Sequence, residues 1–203
     1  MVISDRRARK KARTRQQIIK LGIALFSKHG MDAVTIDQIA DAADIGKGTI
    51  YNYFHSKEDI VVAFMAGIEQ KVQATLRGFD PRDRPLADVL MAFVREHFRM
   101  KQRHHRFVRV FFAQMFLHSD QFLPYMAEIH ALVTPNLQAL FEDLQRRGAV
   151  RADVSVADLA LVFGHLQFGL SALWAIEGPP FQGTEVVMQR EITLFCEGVT
   201  ART

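Results

Sequence analysis

An all-α protein is predicted by three features of this 203-residue sequence. Apolar residues recur at three- and four-residue spacing over long segments, the period of a helix face and not the alternation of a strand. Only 6 prolines and 12 glycines interrupt the chain, so breaks between helices are few. Apolar residues make up 49% of the whole, with 16 phenylalanines among them, which supplies a core and argues against intrinsic disorder.

Each element has its own signal. Residues 1–13 are basic and poor in apolar side chains, and are expected to form a flexible arm. Thr14-x-x-Gln17 has capping-box spacing, and Ile18, Leu21, Gly22, Leu25 and Phe26 then share one helix face. Gly30 supplies a left-handed stop. Thr35-x-x-Gln38 repeats the capping signal ahead of a short second helix carrying Ile36, Ile39, Ala40 and Ala43. A turn at Asp44-Ile45-Gly46 leads into a third helix, Lys47–Phe54, and Ser56-x-x-Asp59 opens a fourth that runs to about Arg77. FDPRDRP (79–85) is a turn-rich connector. Beyond it the pattern predicts helices at about 86–102, 105–117, 122–147, 155–177 and 184–200, about nine in all. Pro135 is placed to kink or split the 122–147 segment.

Charge divides the chain unevenly. Residues 1–57 hold 11 Lys and Arg against 5 Asp and Glu, and the remainder holds 15 against 17. A basic head on a nearly neutral body suits a polyanionic partner. The single cysteine, Cys196, excludes an intramolecular disulfide and fits a reducing compartment. The basic N-terminus lacks the apolar stretch of a secretory signal. The membrane-like run 159–176 contains His165, Gln167 and Ser171, so a helix buried on two sides is the better expectation. A cytoplasmic protein with no membrane partner follows.

The stretch GKGTIYNYFHSKED (46–59) is oddly composed for a helix between two helices. On a helical wheel Ile50 and Phe54 form the buried stripe. Gly48 and Asn52 lie opposite, flanked by Tyr51, Tyr53, Thr49 and Lys47. Ordinary solvated faces favour Glu, Lys, Gln and Ala. A mid-helix glycine disfavours the helix by about 1 kcal/mol, which suggests that something approaches the backbone closely there. The major groove of a DNA duplex fits: hydroxyls bond phosphate oxygens, and Asn pairs with adenine. Lys57, in the first turn of the next helix, sits where free N–H groups favour a phosphate. The wheel alone leaves open a short surface helix whose tyrosines half-bury against neighbours.

The segment TIDQIADAADIGKGTIYNYFHSKEDI resembles the DNA-binding domain of the tetracycline-repressor (TetR) family of bacterial transcriptional regulators. Thr35, Gly48-Thr49-Ile50-Tyr51, Tyr53-Phe54 and Lys57-Glu58 carry the match, which covers about residues 14–65. The resemblance implies a three-helix helix-turn-helix domain, at 14–57, joined to a larger helical-bundle ligand-binding and dimerisation domain at 58–203. It implies phosphate contacts from Thr35, Tyr51, Tyr53 and Lys57, and base or groove contacts from Lys47, Gly48, Thr49 and Asn52. Gly46 departs from the family pattern, where many members place Ser, and leaves one contact in doubt.

Segment 155–177 is apolar on nearly all sides, and a partner subunit covering Leu166, Leu173 and Phe195 would complete its burial. A homodimer reading a pseudo-palindromic operator is therefore expected. Phe93, Phe98, Phe107, Phe111, Met115 and Phe168 are candidates to line a pocket for a mainly apolar or aromatic inducer, although such stripes are usually core. The basic run 94–110 reads mostly as a solvated face; the alternative is that Arg95, Arg99 or Arg106 points inward to an anionic head group. His97 and His104 share a face, but no Cys or carboxylate completes a metal site. No catalytic motif and no cofactor signature is present, so a non-enzyme is expected. The reading is a ligand-responsive repressor; a DNA-binding architectural or adaptor protein without an inducer is the alternative.

Overall fold

The structure, a computed structural model, describes residues 2–76, 84–117 and 119–200. Among these residues it is all-α: α1 Val2–His29, α2 Ile36–Ala42, α3 Lys47–Ile50, α4 Lys57–Leu76, α5 Leu86–Lys101, α6 His105–Leu117, α7 Ser119–Arg146, α8 Val156–Glu177 and α9 Gln182–Val199. A single 3-10 turn, Gln102–His104, links α5 to α6. One antiparallel bridge joins Val150 to Thr200. Residues 77–83, including most of the expected connector, lie outside the described residues.

Most helix ends follow from local chemistry. Gly30 takes φ +83°, and its N–H closes α1 on the Phe26 carbonyl at 3.0 Å. At α2 the capping box is complete: Thr35 Oγ1 accepts from the Gln38 N–H at 3.2 Å, and Gln38 Oε1 accepts from the Thr35 N–H at 2.8 Å. The start of α4 is closed in the same reciprocal way. Ser56 Oγ accepts from the Asp59 N–H at 3.0 Å, while Asp59 Oδ2 accepts from the N–H groups of His55 and Ser56.

Three expectations are corrected. The arm 1–13 is helical from Val2, because Ala, Arg and Lys favour helix; the Thr14 cap signal therefore falls inside α1. The third helix is only Lys47–Ile50, and the N–H groups of Tyr53 and Phe54 both turn back to the Ile50 carbonyl at 2.9 and 3.0 Å. Pro135 does not split α7, which runs through it.

The chain divides into two compact units, residues 1–67 with 106–125, and residues 68–105 with 126–203. The division falls within α4, after residue 67. In the first unit Ile18, Ile23, Phe26, Ile39, Ile50, Ile60 and Phe107 are fully buried. Phe107 meets Phe26 at 6.3 Å and Phe64 edge-on at 5.3 Å. The second unit is built on α8, whose Phe163 contacts Phe93, Phe141 and Phe195 at 6.0, 5.7 and 5.4 Å. Aromatic pairs of this kind contribute about 0.5–1.5 kcal/mol each beyond their buried area. By length and composition α8 would also span a bilayer, yet Leu159, Phe163, Leu170 and Trp174 are buried inside the unit.

Candidate nucleic-acid interface

In the first unit α2 and α3 pack on α1 and the start of α4 through Ile39, Ile50, Phe54 and Ile60, each at most 2% exposed. Gly22 lets α4 come close. A Cβ there would stand 3.1 Å from Ile60 Cγ2, a feature the apolar spacing of α1 concealed. The guanidinium of Arg15 lies 4.8 Å over the Phe54 ring and clamps the end of the recognition segment.

The turn before α3 is set by Asp44, at φ +53°, a conformation Asp tolerates through its short polar side chain. The Ile45 N–H donates to the Ala40 carbonyl at 3.1 Å, and Gln17 Nε2 donates to the Ala43 carbonyl at 3.3 Å. These bonds hold α2 and α3 as a helix-turn-helix.

Packing Ile50 and Phe54 inward turns Lys47, Gly48, Thr49, Tyr51 and Asn52 to solvent, with Tyr53 half-buried. Nothing within the protein calls for glycine at 48: no heavy atom lies within 4 Å of where its Cβ would stand, and its φ is not left-handed. Lys47 Nζ reaches Asp37 at 3.1 Å, and the hydrogen bond it donates to that carboxylate holds the ammonium above its usual range. The first turns of α1 extend the basic surface, with Arg6, Arg7, Lys10, Lys11 and Arg13 all exposed.

Two expected contacts look different in three dimensions. Lys57 Nζ donates to the Met31 carbonyl at 2.7 Å, so in the free protein this side chain ties α4 to the loop after α1. Thr35 spends its hydroxyl on the α2 cap. Gly46 is the N-cap of α3 and, at φ −60° and ψ 142°, sits in a conformation open to any residue.

Residues 18–64, the segment just described, match the profile of the bacterial regulatory proteins of the tetR family. This segment thus resembles the DNA-binding part of TetR-family regulators. TcmR, a helix-turn-helix transcriptional regulator of Streptomyces glaucescens, is 32% identical over 87 residues, 43% of this chain and 38% of TcmR. The chain thus matches less than two-fifths of that relative's length. NicS, a transcriptional repressor of Pseudomonas putida, is 29% identical over 175 residues, 79% of this chain and 76% of NicS. The structure of Thermus thermophilus FadR, a TetR-family repressor in complex with lauroyl-CoA, superposes with a TM-score of 0.67 at 23% identity. It covers 93% of this chain and 96% of that one, and shows that the TetR fold extends through the body.

The body residues sort differently from their sequence pattern. Phe107, Phe111 and Met115 are buried in the first unit, where Phe107 and Phe111 meet at 6.3 Å. Phe93, buried, and Phe168, exposed, belong to the second. Phe98 alone of these six lines a described cleft of about 210 Å³, together with Arg95, Arg99, Gln102, Trp174, Phe181, Thr184 and Glu185. Arg106 belongs to the first unit. Of the expected dimer residues, Leu166 and Leu173 are half-buried and Phe195 joins the Phe141–Phe163 cluster. On α8 and α9 the exposed large apolar side chains include Leu161, Val162, Phe168, Ile176, Val186 and Leu194. Stepping about 100° per residue, Leu161, His165, Phe168, Ala172 and Ile176 share one face of α8.

A buried polar cluster escaped the sequence reading. His97 Nδ1 donates to the Phe93 carbonyl at 3.0 Å, and its Nε2 lies 3.0 Å from Glu69 Oε2. A carbonyl only accepts, so Nδ1 carries a hydrogen, and one further proton is shared between Nε2 and the carboxylate. Asn136 Nδ2 donates to the other oxygen of Glu69 at 2.9 Å. Lys101 is buried beside this cluster, and desolvation lowers its ammonium to about 8 against the pull of Glu69. Isolated polar residues on an apolar helix face carry no sequence mark that they will meet.

Proposed function

We propose that this protein is a cytoplasmic, homodimeric DNA-binding repressor that reads a pseudo-palindromic operator and releases it on binding a small, mainly apolar or aromatic inducer. The observation that carries the DNA reading is the exposed face Lys47–Gly48–Thr49–Tyr51–Asn52, on a helix held by Ile50 and Phe54, with a glycine that no internal contact requires. Lys47, Gly48, Thr49 and Asn52 approach base edges, and Thr35, Tyr51, Tyr53 and Lys57 approach phosphates. Lys57 acts there partly by anchoring the Met31 loop.

Dimerisation through α8 and α9 is supported by their exposed apolar side chains, since solvent-facing Leu, Val, Phe and Ile gathered on two neighbouring helices call for a cover. Two heads in one dimer read two half-sites, which a single module binds weakly. Occupancy of the body shifts the population between DNA-competent and incompetent dimers. In this reading residues 14–57 serve as the DNA-binding domain, 58–203 as the ligand-binding and dimerisation domain, and α4 joins the two.

Tyr51→Ala tests the assignment. Removing one charge-assisted phosphate bond of about 1.5 kcal/mol from each subunit weakens operator binding on the order of 100-fold. Selection of bound DNA from a random pool identifies the operator, and a gel shift then compares the two proteins. Wild-type affinity in the folded variant would remove Tyr51 from the interface; no selected palindrome would remove the function.

A further inference from the structure

The cleft of about 210 Å³ in the second unit opens between the ends of α5 and α8 and the start of α9. Its floor is aromatic. The Trp174 ring lies nearly parallel to Phe181, at 4.7 Å and 11°, and to Phe98, at 5.5 Å and 15°. Trp174 and Phe98 are buried and Phe181 is the half-buried member of the stack, so an incoming planar ring meets the stack at Phe181, in the offset geometry that π systems prefer.

Phe181 is held against Trp174 by a strained turn. Its backbone is left-handed, at φ +62°, where a bulky side chain rarely goes. The Glu177 carboxylate pins that turn by accepting from the backbone N–H groups of Gly183 and Thr184 at 2.7 and 2.6 Å. Backbone strain of this kind gathers at ligand sites.

Two guanidinium groups stand at the rim. Arg95 and Arg99 stand one helical turn apart, 51% and 62% exposed, paired with Glu185 and Glu96. Exposed pairs hold weakly, and a guanidinium fork binds an incoming carboxylate with two parallel bonds. Sites for drug-sized ligands span about 300–1,000 Å³, so this smaller cleft suits one or two rings.

We propose that the cleft binds a planar aromatic carboxylate, its ring along the Phe98–Trp174–Phe181 stack and its charge between Arg95 and Arg99. This rests on the ligand-responsive reading above and narrows the class of inducer.

Trp174 is the single tryptophan, so its fluorescence reports the site directly. Benzoate is titrated to roughly 20 mM, the range of fragment-sized ligands. Benzamide, which lacks the charge, and cyclohexanecarboxylate, which lacks the flat ring, are the comparisons. Saturable change with benzoate is expected, at least about 5-fold weaker with either comparison and with Arg99→Gln. Phe181→Gly, whose backbone suits the left-handed turn, is expected to abolish the response while circular dichroism keeps the helix content. Equal binding of benzamide or cyclohexanecarboxylate, an unchanged Arg99→Gln titration, or no saturable response would each overturn the proposal. Should Phe181→Gly fail to fold, the probe comparisons and Arg99→Gln still decide. Operator binding is scored separately by gel shift. DNA bound with Trp174 blind to benzoate sinks this site alone; benzoate bound without any DNA binding sinks the regulatory reading alone.

Discussion

Gly48→Ala should make the protein more stable and a worse DNA binder. Gly48 is the second residue of α3 and is exposed, with open space around its missing Cβ. Replacing an unstrained helical glycine by alanine gains about 0.5–1 kcal/mol, and the shortness of α3 puts the gain at the lower end. In a DNA complex the same methyl group points at the partner. Overpacking a tight contact costs about 1 kcal/mol or more per subunit, so a dimer loses about 30-fold or more in affinity. Urea unfolding measures the first effect and a salt-controlled gel shift the second. An unchanged operator affinity would show that no partner approaches Gly48, and a loss of stability would mean that the free protein needs this glycine after all. Gly46→Ser is the informative comparison. Its Cβ would stand 3.4 Å from Thr49 Oγ1, an ordinary contact, and its hydroxyl would cap α3 for a few tenths of a kcal/mol. That variant should bind operator more tightly, because it adds a phosphate-reaching oxygen at the start of α3; weaker binding would exclude that contact.

Two further outcomes test the body. Leu161→Glu, a change at an exposed position, should leave the isolated chain's stability within about 0.5 kcal/mol. It should also dissociate the dimer, because an unpaired charge buried at an interface costs several kcal/mol; a wild-type sedimentation profile would move the interface elsewhere. Lys101→Met probes the buried ammonium through pH. Lys101 has a folded pKa of about 8, below the 10.5 of the exposed side chain, so between these values the unfolded chain holds more protons. Wild-type stability should therefore rise relative to Lys101→Met from pH 8 to 10.5, by about 3 kcal/mol. A constant difference in urea unfolding across that window would show that the charge is not desolvated.

The features legible in the sequence are those decided within a few residues. Thr35 and Gln38, Ser56 and Asp59, and Gly30 sit at helix ends because each satisfies backbone groups one turn away. The burial of Ile50, and with it the exposure of Gly48, follows from helical period, while Phe54 is buried by the turn that follows α3. Period told less where several helices compete for the same side chain. Phe107, Phe111 and Met115 show the same four-residue spacing as Leu90 and Val94, yet belong to a different compact unit, because sequence spacing names a buried face and not its neighbour. Phe195 and Phe168 are an instructive pair. Both are apolar residues of the final helices, but one closes an aromatic cluster while the other faces solvent.

By itself, then, the sequence determined an all-helical chain, the caps of α2 and α4, and the burial of Ile50 that leaves the Gly48 side of α3 in solvent. All of these depend on contacts within one or two turns. Only the tertiary structure decided that Lys57 holds the Met31 carbonyl, that Glu69, His97 and Lys101 share one buried site, and that Phe98, Trp174 and Phe181 stack beneath two arginines. Lys57 and Met31 are 26 residues apart, Glu69 and His97 28, and Phe98 and Trp174 76, and their meeting is set by how whole helices pack, which no local pattern encodes.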